Sequence, residues 1–242
     1  MDSDLDRPRT ALVAGGAGAL GSAVVELLLE AGERVCVPWI DRGEADRLRD
    51  THAAAEREGV LRLSECDAAN PDQLAALLDV LRADWGPLWL GCSLAGGWAG
   101  GTAVADLDDV ALLDRMLRVN LRTALVVARE GLRHMGPAGG RLVFVGSRTV
   151  ERPAAGQAAY TAAKAGVLSL VGTLAVELRG TGRTANAVVP KVIDTPANRR
   201  AMPDARHDRW VPPREIAKVI AWLAGPDAWL VSGAAIPVPG DS

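Results

Sequence analysis

The N-terminal part of the sequence combines an apolar run, a cluster of glycines and a run of helix-forming residues. Residues 10–14 predict a short buried strand, residues 15–21 a glycine-rich turn and residues 22–31 a helix. Such a strand–turn–helix unit can hold a phosphate over the free backbone N–H groups at a helix N-terminus. Strand-like and helix-like segments then alternate along the chain, which predicts an α/β fold built on a parallel sheet.

Composition narrows the class of protein. The 242 residues suit one α/β domain with a buried sheet, and no internal repeat or linker divides them. The 27 basic and 30 acidic residues give a net charge of −3 without a basic run, which argues against a nucleic-acid partner. No uncharged apolar stretch reaches about 18 residues and the first residues are acidic, so we expect no membrane partner and a cytoplasmic location. Cys36, Cys66 and Cys92 are far apart and predict buried free thiols rather than a metal site.

A hydroxyl, a phenol and an ammonium group are brought close together by the segment 147–164. Tyr160 and Lys164 are four residues apart at the start of a predicted helix and therefore lie on one face. A nearby ammonium can favour the ionised phenol and lower its pKa from about 10, which makes the phenol a general acid/base. Ser147 ends the preceding apolar strand and can reach the same place. Tyr160 is the only tyrosine in the chain, which argues against a mere packing role.

This arrangement, with serine thirteen residues before tyrosine and lysine four after it, resembles the catalytic pattern of the short-chain dehydrogenase/reductase family. The resemblance covers roughly residues 9–240. It implies one Rossmann-type doubly wound domain over residues 1–242, with a mostly parallel seven-stranded sheet and helices on both faces. Residues 1–8 are expected to be flexible. The resemblance also implies an oxidoreductase that uses NAD(P) and no metal.

The resemblance gives roles to the catalytic residues. Tyr160 exchanges a proton with the substrate oxygen, Ser147 hydrogen-bonds that oxygen, and Lys164 lowers the pKa of the phenol and bonds the nicotinamide ribose. Asn120, inside a helix predicted over residues 108–135, completes a proton relay. An amide amid apolar neighbours needs a polar partner, and an exposed or otherwise satisfied Asn120 remains the alternative.

Further residues are assigned to the cofactor by the same resemblance. The family spacing G-x-x-x-G-x-G falls on Gly15, Ala19 and Gly21, so an alanine replaces the middle glycine. The backbone of Ile193 and the hydroxyl of Thr195 are expected to hold the nicotinamide carboxamide, and Lys191 stands where the family has a glycine. The complete predicted set is Gly15, Gly18, Ala19, Leu20, Gly21, Trp39, Arg42, Asp67, Ala95, Gly96, Tyr160, Lys164, Pro190, Ile193 and Thr195.

The choice between NAD and NADP depends on the end of the second strand. Relatives that prefer NAD carry a carboxylate where this sequence has Trp39. Asp41 and Arg42 follow, and either could turn toward the adenosine ribose. The missing carboxylate favours NADP(H), while NAD(H) stays open. Asp67 either binds the adenine amino group or caps the helix that follows.

Two segments are candidates for the substrate side. Trp98 lies in the glycine-rich stretch 96–101 and either lines the substrate pocket or caps an apolar patch. The polar, proline-bounded segment 196–212 is interpreted as a substrate lid. Its Arg199, Arg200 and His207 either contact an acidic substrate or face solvent. The predicted substrate-binding residues are Trp98, Ser147 and Tyr160.

We therefore predict an NAD(P)-dependent enzyme that interconverts a ketone or aldehyde and an alcohol. One alternative is reduction of a quinonoid pterin, because the stretch around Trp98 and the segment 195–212 resemble the dihydropteridine reductases of the same family. Those enzymes lack the serine and asparagine found here. A second alternative is a non-catalytic NAD(P)-binding sensor or structural subunit. The small-residue helix after Tyr160 and the helix 108–135 resemble the family's subunit-packing pair, so a homotetramer or homodimer is expected.

Overall fold

The apolar runs of the sequence form a single sheet. The computed structural model describes residues 8–240, so all of the expected flexible segment 1–8 except Pro8 lies outside the described residues. All seven strands are parallel, in the order β3-β2-β1-β4-β5-β6-β7. This confirms the predicted doubly wound fold. The strands are β1 Thr10–Ala14, β2 Arg34–Trp39, β3 Leu61–Glu65, β4 Leu88–Ser93, β5 Gly140–Val145, β6 Arg183–Pro190 and β7 Ala235–Val238.

Helices cover both faces of the sheet. The longer helices are α1 Ala19–Glu30, α2 Arg42–Thr51, α4 Pro71–Trp85, α6 Thr123–His134, α7 Ala158–Glu177 and α9 Pro213–Ala224, and the shorter ones are α3 Ala53–Arg57, α5 Ala111–Met116 and α8 Pro196–Ala201. Apolar side chains of α4, α6 and α7 pack on one face, and those of α1 and α9 pack on the other. Because both faces are covered, the strands are apolar along most of their length.

The strand order reverses beside β1, and this reversal positions the functional cleft. β1 pairs with β2 on one side and with β4 on the other, so the chain leaves their carboxyl ends in opposite directions. The backbone N–H groups of Leu94 and Ala95 both donate to the Ala14 carbonyl, at 2.8 and 2.9 Å. The segment after β4 is therefore held against the glycine turn that follows β1.

Two segments that predict single helices are interrupted in the structure. The polar segment 44–58 predicts one helix, but it is divided at His52 into α2 and α3. The helix predicted over residues 108–135 begins at Ala111, and its middle is a π-helical segment, Leu117–Arg122, between α5 and α6. The Asn120 amide donates to the Met116 carbonyl at 3.0 Å. That carbonyl would accept the Asn120 backbone N–H in a regular α-helix, so the side chain competes with the α-helical hydrogen bond.

α7 is long and apolar enough to span a membrane by length and composition, with 20 residues and a mean hydropathy of 1.4 over an 18-residue window. A core helix meets the same criterion. In this fold the buried side of α7 packs against the sheet, with Ala163, Val167, Val171 and Leu174 among its buried residues.

Candidate active site

Ser147, Tyr160 and Lys164 come together where β5 ends and α7 begins. Ser147 is 5% exposed and follows β5 closely, and its Oγ accepts hydrogen bonds from the backbone N–H and hydroxyl of Thr149 at 3.3 and 3.0 Å. The Lys164 Nζ donates to the Val145 carbonyl at 2.9 Å and lies 5.9 Å from the centroid of the Tyr160 ring. The end of β5 therefore fixes both polar groups around the phenol.

Asn120 joins this group through Gly96. Its amide nitrogen donates to the Gly97 carbonyl at 3.1 Å, and its Oδ1 is buried without a hydrogen-bond partner within residues 8–240. A Cβ on Gly96 would lie 2.6 Å from that Oδ1 and 3.4 Å from the Lys164 Nζ. A side chain at position 96 would therefore collide with Asn120. Because Gly96 has none, the Asn120 amide and the Lys164 ammonium can both lie next to its backbone. The unpartnered oxygen is a hydrogen-bond acceptor available to a water or a ligand.

The protonation of Tyr160 differs from the expectation. Burial raises the pKa of its phenol above the ordinary value of 10, and the neighbouring Ser147 hydroxyl partly opposes that shift. Lys164 does not contribute to this shift, because its Nζ is directed at the Val145 carbonyl. Its effect on the phenol during the reaction stays a prediction. The phenol is protonated at neutral pH, which is the form that donates a proton.

Lys164 provides a test through pH. Burial lowers the pKa of its ammonium from 10.5 to about 8. Between these two values the unfolded chain binds more protons than the folded one, so the free energy of unfolding rises with pH across this window, by up to about 3 kcal/mol. In Lys164→Met this contribution is absent. We measure the free energy of unfolding of both proteins in urea at pH 7 and at pH 10. The variant minus wild-type difference in this free energy should be larger at pH 7. A difference that is the same at both pH values would contradict the burial of a charged Lys164.

The glycine turn after β1 forms the first wall of a cleft of about 800 Å³. Gly15 has a φ of +83°, and a Cβ there would lie 2.5 Å from the Ala95 nitrogen. A Cβ on Gly21 would lie 2.0 Å from the Gly15 carbonyl oxygen. Gly18 has more room, and Ala19 is the exposed first residue of α1. The alanine in the family's glycine spacing is therefore accommodated without a clash.

The cleft fits a dinucleotide. Its walls come from the glycine turn, the end of β2, the segment after β3, the segment after β4 and the start of the lid. Gly18 caps α1 with no side-chain hydrogen bond, and the first turn of α1 carries no acidic residue, so its N-terminus can accept an anion. Of the predicted cofactor residues, Gly15, Gly18, Ala19, Leu20, Gly21, Trp39, Asp67, Ala95, Gly96 and Thr195 line it.

The remaining predicted residues lie outside the lining of this cleft. Arg42 is not directed into it: its guanidinium stacks on the Trp39 ring at 5.2 Å and pairs with Glu65 at 3.6 Å. Asp41 does line the cleft, but its side chain caps α2 by accepting the Glu44 N–H. Pro190 ends β6, and Ile193 forms a bridge with Val211. Tyr160 and Lys164 lie outside the cleft lining, and the Lys164 Nζ is close to Gly96, which does line the cleft.

Asp67 and Arg118 both line the cleft and form an ion pair with each other. One oxygen of Asp67 accepts the Ala69 N–H, and the other pairs with the Arg118 guanidinium at 2.6 Å. The helix that follows is capped by Asn70, whose side chain accepts from two backbone N–H groups of α4. The alternative that Asp67 caps α4 is therefore wrong.

The two candidate substrate segments have different structures. Trp98 is 57% exposed and is not part of the cleft lining. Its loop is tied to the segment before α7 by the Gly101 N–H, which donates to the Gly156 carbonyl at 2.9 Å. In the lid, Thr195 caps α8, and Arg199 pairs with both carboxylate oxygens of Asp194. His207 packs against Trp210, with ring centroids 4.4 Å apart.

Sequence reasoning missed several contributors. Arg47, Arg118, Thr123 and the lid residues next to Thr195 line the cleft, and the Val145 carbonyl anchors Lys164. The sequence position of Arg47 could have indicated this role, because Arg47 lies about one helical turn after Gly43 on α2, the helix that follows β2. The π-helical segment that carries Arg118 had no pattern that could reveal it.

Fold and site together define a dinucleotide-binding α/β domain with a hydroxyl, a phenol and an ammonium group beside the cleft. A family model described as Enoyl-(Acyl carrier protein) reductase matches residues 15–240. The cis-4-hydroxycyclohexanecarboxylate dehydrogenase of Sinomonas cyclohexanicum is 34% identical over 96% of this chain and 95% of its own. The chain therefore belongs to the short-chain dehydrogenase/reductase family and is an NAD(P)-dependent oxidoreductase.

Two further similarities bear on cofactor and substrate. The blue fluorescent protein from a metagenomic library, solved in complex with NADPH, has a TM-score of 0.85 and 28% identity, covering 97% of this chain and 98% of its own. The dihydropteridine reductase of Dictyostelium discoideum is 28% identical over 93% of this chain and 92% of its own.

Proposed function

We propose that the protein reduces a ketone or aldehyde to an alcohol, and catalyses the reverse oxidation, with Tyr160 as the general acid/base. The observation that carries this proposal is the buried hydroxyl of Ser147 next to a protonated phenol, beside a cleft that fits a dinucleotide. When bound, the nicotinamide supplies the hydride.

The chain's own residues orient the substrate and move the proton. Ser147 hydrogen-bonds the substrate oxygen and holds it at the phenol of Tyr160, which donates its proton to that oxygen. Lys164 bonds the nicotinamide ribose while its Nζ remains anchored at Val145. Asn120 fixes the Gly97 carbonyl and offers its buried Oδ1 to a water, through which the phenol is reprotonated.

Reduction of a quinonoid pterin is the rival function. The loop around Trp98 and the lid support it through their resemblance to dihydropteridine reductases. Ser147 and Asn120 argue against it, because dihydropteridine reductases, which lack both residues, do not reduce a carbonyl group. A non-catalytic sensor would likewise have no use for a complete set of proton-transfer groups.

A substrate panel separates these functions. Oxidation of NADPH is followed with ketones, with 4-oxocyclohexanecarboxylate and with a quinonoid dihydropterin. We expect turnover with at least one ketone and none with the pterin. Turnover with the pterin alone would establish the rival, and nucleotide binding without turnover of any of these compounds would contradict the carbonyl proposal.

We further propose a preference for NADPH based on the charges at the end of β2. The position of Trp39 carries no carboxylate, and the Asp41 side chain already caps α2. The exposed ion pair between Arg42 and Glu65 contributes little, so the Arg42 side chain can leave its position outside the cleft and turn to a 2′-phosphate; Arg47 already lines the cleft.

The preference is tested on Arg42. We expect Arg42→Ala to lower kcat/KM for NADPH by about tenfold, because a charge-assisted hydrogen bond is lost, and to leave NADH within about twofold. Arg49→Ala is the matched control, since Arg49 on the same helix pairs with Asp46 and Glu56 and does not line the cleft. Equal losses for both nucleotides would contradict a role in 2′-phosphate binding.

We propose a homotetramer or homodimer in the cytoplasm, with α6 and α7 as the subunit-packing pair. Leu125 on α6 and Val176 on α7 are 52% and 56% exposed, which is costly for apolar side chains in water. Sedimentation equilibrium should find more than one chain per particle, and a monomer at micromolar concentration would contradict the proposal.

A further inference from the structure

Three arginines line the cleft, and they differ in their partners. Arg118 is paired with Asp67 at 2.6 Å, and Arg47 lies 3.9 Å from Glu44. Arg200 forms neither an ion pair nor a side-chain hydrogen bond with any residue of the described range 8–240. The unpaired guanidinium of Arg200 in the wall of a dinucleotide cleft can therefore bind an anionic group of a ligand.

The neighbouring arginine shows that this difference is local. Arg199 on the same short helix is held by the Asp194 carboxylate, with hydrogen bonds of 2.6 and 2.8 Å, and does not line the cleft. Consecutive helical residues point about 100° apart. α8 thus presents one arginine to Asp194 and the next one to the cleft.

The helix that carries Arg200 is anchored at its start. The Thr195 hydroxyl accepts the Asn198 N–H at 3.1 Å, and the Asn198 amide donates to the Ile193 carbonyl at 2.8 Å. Thr195, Pro196, Ala197 and Arg200 line the same cleft as the glycine turn. The lining of the cleft therefore includes two groups suited to an anion: the N-terminus of α1, which has no side-chain cap, and the unpaired guanidinium of Arg200 on α8.

We propose that Arg200 binds the cofactor pyrophosphate from the lid, and so couples the position of the lid to occupancy of the cofactor cleft. This rests on the proposed function only in that the cleft binds NAD(P)(H). The pyrophosphate is the ligand's anionic centre, and a guanidinium matches phosphate oxygens in a bidentate manner. An acidic substrate is the less suitable anion, because Ser147 and Tyr160, which would hold the substrate, do not line this cleft.

The test measures equilibrium binding of NADPH, NADH and ADP-ribose by fluorescence titration, without a substrate. Arg200→Met is expected to raise Kd roughly 10- to 100-fold for all three ligands, since all contain the pyrophosphate. Arg200→Lys should recover part of the affinity. Arg199→Met is the matched control and should bind as wild type does. Arg200 is exposed, so the variants should fold, and circular dichroism verifies this.

Each other outcome overturns the proposal. A loss for NADPH alone would assign Arg200 to the 2′-phosphate. Unchanged binding with a raised KM for the carbonyl would assign it to an acidic substrate. Equal losses in Arg199→Met would indicate that only the fold of the lid matters. Because no turnover is needed, an inactive protein that still binds nucleotide leaves this test intact and counts only against the proposed function.

Discussion

Replacing Tyr160 with phenylalanine is expected to lower kcat for carbonyl reduction by about 10²- to 10⁴-fold while the Kd for NADPH stays within about twofold. The substitution removes only the hydroxyl that donates the proton, and general acid catalysis contributes a factor of this size. The buried phenol is protonated at neutral pH, so the wild-type group is in the form that reduction needs.

The matched control for Tyr160 lies on the same helix. Thr173 is exposed, far along α7, and its hydroxyl bonds the Ser169 carbonyl. Thr173→Val removes a hydroxyl from α7 and should retain wild-type kcat. If Tyr160→Phe kept more than about a tenth of the wild-type rate, another group would have to supply the proton.

Substituting alanine for Gly21 is expected to raise the Kd for NADPH by about 100-fold. A Cβ there would lie 2.0 Å from the Gly15 carbonyl oxygen and 2.5 Å from the Gly16 Cα, so the turn that opens α1 must move. The loss of about two charge-assisted hydrogen bonds from its N–H groups to a phosphate has an effect of this size. The overpacking should also cost about 1–3 kcal/mol of stability.

Gly18 provides the comparison for Gly21. A Cβ on Gly18 has only the Gly15 carbonyl oxygen nearby, at 3.5 Å, which is an ordinary contact. Gly18→Ala should therefore bind NADPH within a fewfold of wild type. Isothermal titration of both variants, with thermal unfolding alongside, measures the contrast; similar affinities in the two would show that the turn adapts and that its shape does not determine binding.

The strand and helix pattern of the sequence was sufficient to predict the fold. The apolar run 10–14 and the proline-started segment 213–224 predict a strand and a helix with the bounds observed for β1 and α9. Pro237 predicts that the run 234–238 is an edge strand, because proline has no N–H to donate, and β7 is the edge of the sheet. The π-helical segment could not be predicted, because it depends on the Asn120 amide taking the Met116 carbonyl.

The sequence predicts which residues form the candidate site, and the structure brings Ser147, Tyr160 and Lys164 together, but the electrostatics of the site could not be predicted. A four-residue spacing puts Tyr160 and Lys164 on one face, yet it does not reveal that the Lys164 ammonium is directed at Val145 and that burial raises the pKa of the phenol. Likewise, the pairing of Asp67 with Arg118 joins two residues 51 positions apart. Such contacts depend on tertiary packing, which local sequence patterns do not specify.

The central claim is that hydride passes from the nicotinamide to a carbonyl carbon held at Ser147 and Tyr160. The most direct measurement uses NADPH carrying deuterium at both C4 positions, with a ketone that the panel shows to be turned over, and mass spectrometry of the product. We predict that wild type forms an alcohol with one deuterium on the carbinol carbon, and that Tyr160→Phe forms less of this labelled alcohol in proportion to its lower rate. An alcohol without deuterium on that carbon would contradict the account.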